Sequence, residues 1–169
     1  PAHYPFAPRS YLLVNDGKGH FADGTEALAP EALGPGLVTD VRFADLDSDN
    51  DPDLLVVGEW MKVTWFRNDG GHFTDASKEA GLDDTHGWWY SVAVADVNED
   101  GHPDIIGGNL GWNSKFHGTK DRPIHVYWAD FDDNGRHDIV LAKEKNGKQL
   151  PVRGRECSSQ QCPMILQKF

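Results

Sequence analysis

The stretch DLDSDNDPD at 45–53 carries five aspartates in nine residues and runs straight into LLVVG. Carboxylates about 4 Å apart repel by roughly 1 kcal/mol per pair in water, and by more when partly buried. Such density therefore needs a counter-charge or an open, solvated loop. Two further windows fall in the same register, DVNEDGHPD at 96–104 and DFDDNGRHD at 130–138. Apolar segments precede them (VRFA, SVAVA, HVYWA) and follow them (LLVVG, IIGG, IVLA). These flanks are short and rich in β-branched and aromatic residues, which predicts a strand on each side of every loop.

Flanking strands and residue spacing decide against an EF-hand. That loop needs helices on both sides and a bidentate Glu at position 12. Position 12 is Val56, Gly107 and Leu141 in the three copies. What the windows share is D-x-[DN]-x-[DN]-[GN]-x-x-D. Oxygen side chains at positions 1, 3, 5 and 9, with a backbone carbonyl from position 7, suit a hard cation that takes 6–8 oxygens in flexible geometry. Softer metals would ask for nitrogen or sulfur, and Mg²⁺ for a stricter octahedron. The expected ligand sets are Asp45, Asp47, Asp49 and Asp53; Asp96, Asn98, Asp100 and Asp104; and Asp130, Asp132, Asn134 and Asp138. Asp51, His102 and Arg136 would lend carbonyls, with the Asp51 carboxylate facing solvent. Position 6 is Asn50, Gly101 and Gly135, residue types that accept a left-handed backbone. The expectation is up to three Ca²⁺ sites; the alternative is three acidic turns without metal.

A second repeat interleaves with the first. YLLVNDGKGHFADGT at 11–25 aligns with VTWFRNDGGHFTDAS at 63–77, and Asn-Asp-Gly between apolar strands signals a hairpin. EKNGKQ at 144–149 reads as a plainer hairpin. Four short strands repeating over 35–50 residues mark a β-propeller blade. The predicted fold is all-β, a partial propeller of three to three and a half four-stranded antiparallel blades in one domain. Its parts are an outer hairpin at 10–26, blades at 38–80, 90–120 and 124–155, and a C-terminal segment at 156–169. Closed propellers use about 4–8 blades. A fragment of a longer protein is therefore expected, or chain–chain association through open blade edges.

Composition narrows the classes. The 169 residues suffice for one core, and the net charge of −11 opposes nucleic-acid binding. No apolar run reaches the roughly 20 residues of a membrane helix. Cys157 and Cys162 lack zinc-site spacing, so a local disulfide and two free thiols both stay open.

The D-x-D-x-D-G-x-x-D loops between strands resemble the FG-GAP/VCBS repeats of integrin-α-like propellers. More closely, GEWMKVTWFRNDGGHFTD, AGLDDTHGWWYSVAVADVNEDGHPD, GGNLGWNSKF and LPVRGRECSSQQCP are similar to the cartilage-acidic-protein (ASPIC/UnbV-associated) type. The resemblance runs from SYLLVNDGKGHF onward and implies a calcium-stabilised propeller at an extracellular, periplasmic or cell-surface location, with binding as its default role. Asn50 for Gly and Asn98 for Asp depart from the pattern, and weaker binding is expected of the second loop.

No nucleophile elbow, phosphate loop or H-E-x-x-H motif is present, and no catalytic or organic-cofactor residue is assigned. His20 and His72 occupy equivalent turn positions, which favours a duplicated structural role. Aromatic-polar stretches offer the candidate ligand contacts: Glu59, Trp60, Trp88, Trp89, Asn109, Trp112, Asn113 and Lys115. Tryptophan beside Asn and Lys suits a protein or glycan ligand, whereas the plainer reading has these rings filling core between blades. The expected function is a calcium-binding module that binds protein or glycan. The alternative is part of a calcium-containing propeller enzyme acting on carbohydrate, a lyase or dehydratase.

Overall fold

The computed structural model describes residues 4–161, with 163 and 166. The chain forms two compact units, Phe6–Leu110 and Pro1–Pro5 with Gly111–Phe169. The first unit starts with a hairpin of β1 (Leu13–Asn15) and β2 (Phe21–Asp23), then a single helical turn α1 (Thr25–Leu28) and a 3-10 turn at Pro30–Leu33. A four-stranded antiparallel meander follows: β3 (Leu37–Ala44), β4 (Asp53–Met61), β5 (Thr64–Asp69) and β6 (His72–Asp75). β7 (Gly87–Ala95) and β8 (Asp104–Asn109) form the next antiparallel pair, and β7 also meets the end of β4 through Glu59↔Trp88 and Met61↔Gly87. The second unit holds β9 (Ile124–Ala129), β10 (Asp138–Lys145) and β11 (Lys148–Pro151), all antiparallel, followed by α2 (Arg155–Gln161). The architecture is thus all-β, in propeller-type blades.

β4 is the buried spine of the first unit, and its pleat feeds two cores. Val56 and Met61 pack with Phe66, Phe73, Ala29 and Ala32, while Leu55 and Val57 pack with Val63 and Val92. Thr39 bulges out of the β3–β4 ladder and donates its hydroxyl to the Trp89 carbonyl at 2.9 Å. Beside it the Asp40 carboxylate accepts the Val92 amide at 3.0 Å. Side chains therefore fasten β3 to β7 where no ladder does.

The hairpin turns carry the expected chemistry. Asn146 (φ 55°) and Gly147 (φ 72°) are both left-handed between Lys145 and Lys148, the conformation of a two-residue type I′ turn. A clasp not anticipated from the sequence closes both NDG hairpins. Thr25 Oγ1 accepts the Leu12 amide at 2.8 Å and donates to Asp23 at 2.6 Å. Ser77 Oγ accepts the Trp65 amide at 3.0 Å and donates to Asp75. The repeated D-x-[ST] of FADGT and FTDAS is its sequence signal.

Within the span expected to form a blade at 90–120, the described residues hold two strands, and 111–123 makes turns and bends instead. NLGWNSKFHGTKDRP lacks an alternating apolar pattern and is broken by Gly111, Gly118 and Pro123. The segment at 124–155 contributes three strands before α2 begins. Pairing of Cys157 with Cys162 lies outside the described residues; Cys157 is exposed.

Candidate metal centres

All three acidic loops connect adjacent antiparallel strands, and all three close on the same rung. The last residue before each loop pairs with its ninth position: Ala44↔Asp53, Ala95↔Asp104 and Ala129↔Asp138. Helices flank none of them, as the EF-hand exclusion requires.

Inside each loop, position 1 organises the backbone. Asp45 accepts the Ser48, Asp49 and Asn50 amides at 2.8, 3.2 and 3.0 Å. Asp96 accepts the Asp100 and Gly101 amides, and Asp130 accepts those of Asn134 and Gly135. Position 5 then accepts the amide of position 7: Asp49 from Asp51 at 2.7 Å, Asp100 from His102 at 2.9 Å, and Asn134 from Arg136 at 2.9 Å. Left-handed φ recurs at position 6 as expected, at Asn50 (72°), Gly101 (87°) and Gly135 (81°). It also recurs at position 4, at Ser48 (67°), Glu99 (61°) and Asp133 (57°), where residue type carried no warning.

Position 9 separates the copies. Asp53 is fully buried, and both of its oxygens accept amides, Leu46 at 2.9 Å and Asn68 at 2.8 Å. Asn68 returns its side-chain amide to the Pro52 carbonyl at 3.0 Å, and the Gly70 amide donates to Asp51 at 3.1 Å. The first loop is thereby wired to the NDG turn of its own blade. The half-buried Asp51 carboxylate thus also receives the turn's backbone, in an exposed setting. Among the described residues, Asp104 accepts one amide, that of Val97 at 2.9 Å. Asp138 is 8% exposed, and its Oδ2 is buried without a hydrogen-bond partner, as is Asp132 Oδ1.

Carboxylate oxygens of Asp45, Asp47 and Asp49 lie within 4.8 Å of one another, and so do those of Asp130, Asp132 and Asp138. These two sets fit a hard divalent cation. The second loop gathers no such trio among the described residues; there Asn98 turns its amide toward Asp100 at 3.0 Å.

Charge behaves accordingly. Burial, together with the neighbouring carboxylates of Asp53, Asp49 and Asp45, pushes Asp47 above the ordinary aspartate range. In the second loop the Gly101 amide holds Asp96 below it, and the His102 amide does the same for Asp100. Burial raises Asp130, but the amides of Gly135, Asn134 and Asp133 outweigh it and leave that group low.

The sequence that builds these loops and hairpins matches the family models of the FG-GAP-like repeat over residues 7–56 and 45–107, and of the FG-GAP repeat over 88–127. The chain belongs to the FG-GAP repeat family. Its relatives include cartilage acidic protein 1 of Homo sapiens, 39% identical over 83 residues, which is 48% of this chain and 11% of that protein. The Xenopus tropicalis protein of the same name is 30% identical over 134 residues, 79% of this chain and 15% of the relative. The chain therefore spans 11–15% of the length of these relatives and is an FG-GAP repeat module of cartilage-acidic-protein type. No helix among the described residues is long and apolar enough to cross a membrane.

The other candidate contacts fall in different units. In the first, Trp89 belongs to core: its ring packs against Val92 and its neighbours, fills the space over Gly107, and donates Nε1 to the Thr85 carbonyl at 3.0 Å. Trp60 takes a left-handed φ of 61°, an outlier for so large a residue, and its ring lies 4.9 Å from that of Trp88. It borders a cleft of about 520 Å³ that Met61, Lys62, Phe66, Asp75 and Asp83 also line. Glu59 is half-buried on β4 beside this pair, and Asn109 ends β8 opposite Trp89. In the second unit Trp112 is 71% exposed and stacks on His117 at 6.3 Å, with exposed Asn113 and Lys115 next to it.

Proposed function

We propose that this module is a calcium-binding propeller segment of a larger extracellular or surface protein, and that it binds a protein or glycan ligand. The observation that carries the calcium reading is the third loop, where three carboxylates converge and two of their oxygens are buried without a hydrogen-bond donor. An uncompensated buried carboxylate is costly, and an oxygen-preferring divalent cation removes that cost. The converging trio of the first loop supports the same assignment. In the second loop Asn98 and Asp100 satisfy each other, which favours weaker binding there. An oxygen-only donor set selects calcium over softer metals. Kinship with proteins named for cartilage supports the extracellular location.

Ligand contact is assigned to the exposed Trp112, Asn113 and Lys115 and to the Trp60 cleft. Trp89 is committed to core, so its indole supports the fold. The test is a melting experiment. EDTA lowers the transition and excess Ca²⁺ restores it, by about 2.7 kcal/mol per site at 100 times Kd. Asp45→Asn and Asp130→Asn each diminish the restoration. A melting curve indifferent to chelator and calcium would remove the proposal. Glycan-array and protein-capture binding, compared between the wild type and Trp112→Ala, then separate the two ligand classes.

A further inference from the structure

Both apolar clusters found among the described residues lie in the Phe6–Leu110 unit. Beyond residue 110 the described residues bury only Ala142, Asp138 and Ser159, one small apolar side chain and two polar ones. Tyr127, Trp128, Phe131 and Leu150 are all exposed there. A three-stranded sheet of this kind has little apolar burial to offset the entropy of ordering it. It also carries an electrostatic burden, because Asp138 Oδ2 and Asp132 Oδ1 are buried without a partner, and both residues converge with Asp130 in one carboxylate trio. The equivalent Asp53 is relieved of that burden by two backbone amides, and Asp104 by one.

From this contrast, and resting on the calcium reading above, we infer that a divalent cation in the 130–138 loop is a condition for order in the β9–β11 sheet, whereas the Phe6–Leu110 unit keeps its fold without one. Cation binding there is folding free energy, as at sites that do not exist in the unfolded chain. The cation neutralises the trio, closes the β9–β10 connection at the Ala129↔Asp138 rung, and lets the β10–β11 hairpin follow. In the first loop the same ion adds to a structure already held by the Asn68 turn. Because Trp112, Asn113 and Lys115 belong to the same unit as β9–β11, recognition through them becomes calcium-dependent.

Hydrogen exchange of the whole chain, read peptide by peptide, tests the inference. With EDTA, peptides from 124–151 exchange as fast as unfolded chain, while those from 53–69 stay protected, faster by no more than the roughly hundredfold that loss of the first-loop ion removes. Asp138→Asn in Ca²⁺ reproduces the EDTA pattern in 124–151 only. Asp132→Asn, the milder variant, needs more Ca²⁺ to reach wild-type protection. If calorimetry shows Ca²⁺ binding while protection of 124–151 ignores it, the inference fails and the calcium reading stands. Equal loss of protection in both segments also overturns the inference. If calorimetry shows no binding at all, the calcium reading itself has failed.

Discussion

Asp53→Ala isolates the part of the first loop that works without metal. The residue is fully buried, and its two oxygens accept the Leu46 amide at 2.9 Å and the Asn68 amide at 2.8 Å. Truncation strands both donors, at about 1–3 kcal/mol each. The Asn68 amide lies in a buried setting and bears the larger share, whereas the Leu46 amide is only part-buried and water can reach it. A total near 3 kcal/mol follows, equivalent to roughly 160-fold faster exchange of amides that open with this blade. The assay is hydrogen exchange of β4 and β5 in EDTA, so that any metal contribution is absent from both proteins. Asp104→Ala serves as comparison; it frees one exposed amide and costs about 1 kcal/mol. An Asp53→Ala effect below about 1 kcal/mol in EDTA would refute the reasoning, because the two amides would then be as well served by solvent.

Three further outcomes are expected. Ser77→Ala, which removes a fully buried hydroxyl bonded to the Trp65 amide and to Asp75, lowers stability by about 1–3 kcal/mol in urea titration, and Thr25→Ala weakens the first hairpin in the same way. Gly58→Ala drives a methyl into the Leu37 carbonyl oxygen, a backbone atom that cannot step aside, so circular dichroism shows a loss of about 3 kcal/mol or more. The Val92 amide, aided by the Val41 amide and Arg42 against opposing burial, holds Asp40 below its ordinary value of 3.8. Its stabilising contribution is therefore full above that value and disappears as pH falls through the lower folded one. Wild type and Asp40→Asn consequently differ in urea midpoint at neutral pH and converge in strong acid.

Much of this architecture was legible because two periodicities overlap in the chain. Alternating apolar segments on either side of each acidic window predicted the strands, and Asn146-Gly147 predicted its turn. Position 6 announced its left-handed backbone through Asn50, Gly101 and Gly135. Position 4 gave no such notice, since Ser48, Glu99 and Asp133 share no conformational preference and are held there by the amides converging on position 1. The inequivalence of the loops was hidden for a different reason. Whether Asp53 is satisfied depends on Asn68, fifteen residues away on another strand, and a local motif cannot reveal such a partner. The same holds for Asp51 and Gly70. In the stretch after Leu110 the described residues run irregularly, because glycines and Pro123 interrupt any alternating apolar pattern there.

The central claim is that acidic loops of this module close around calcium. Isothermal titration calorimetry of the metal-stripped chain, repeated for Asp45→Asn and Asp130→Asn, tests it most directly. The expected result is strong binding at the two loops whose carboxylates converge, with the stoichiometry falling by one equivalent in each variant. No calcium heat above dilution, or a stoichiometry indifferent to both substitutions, would contradict it.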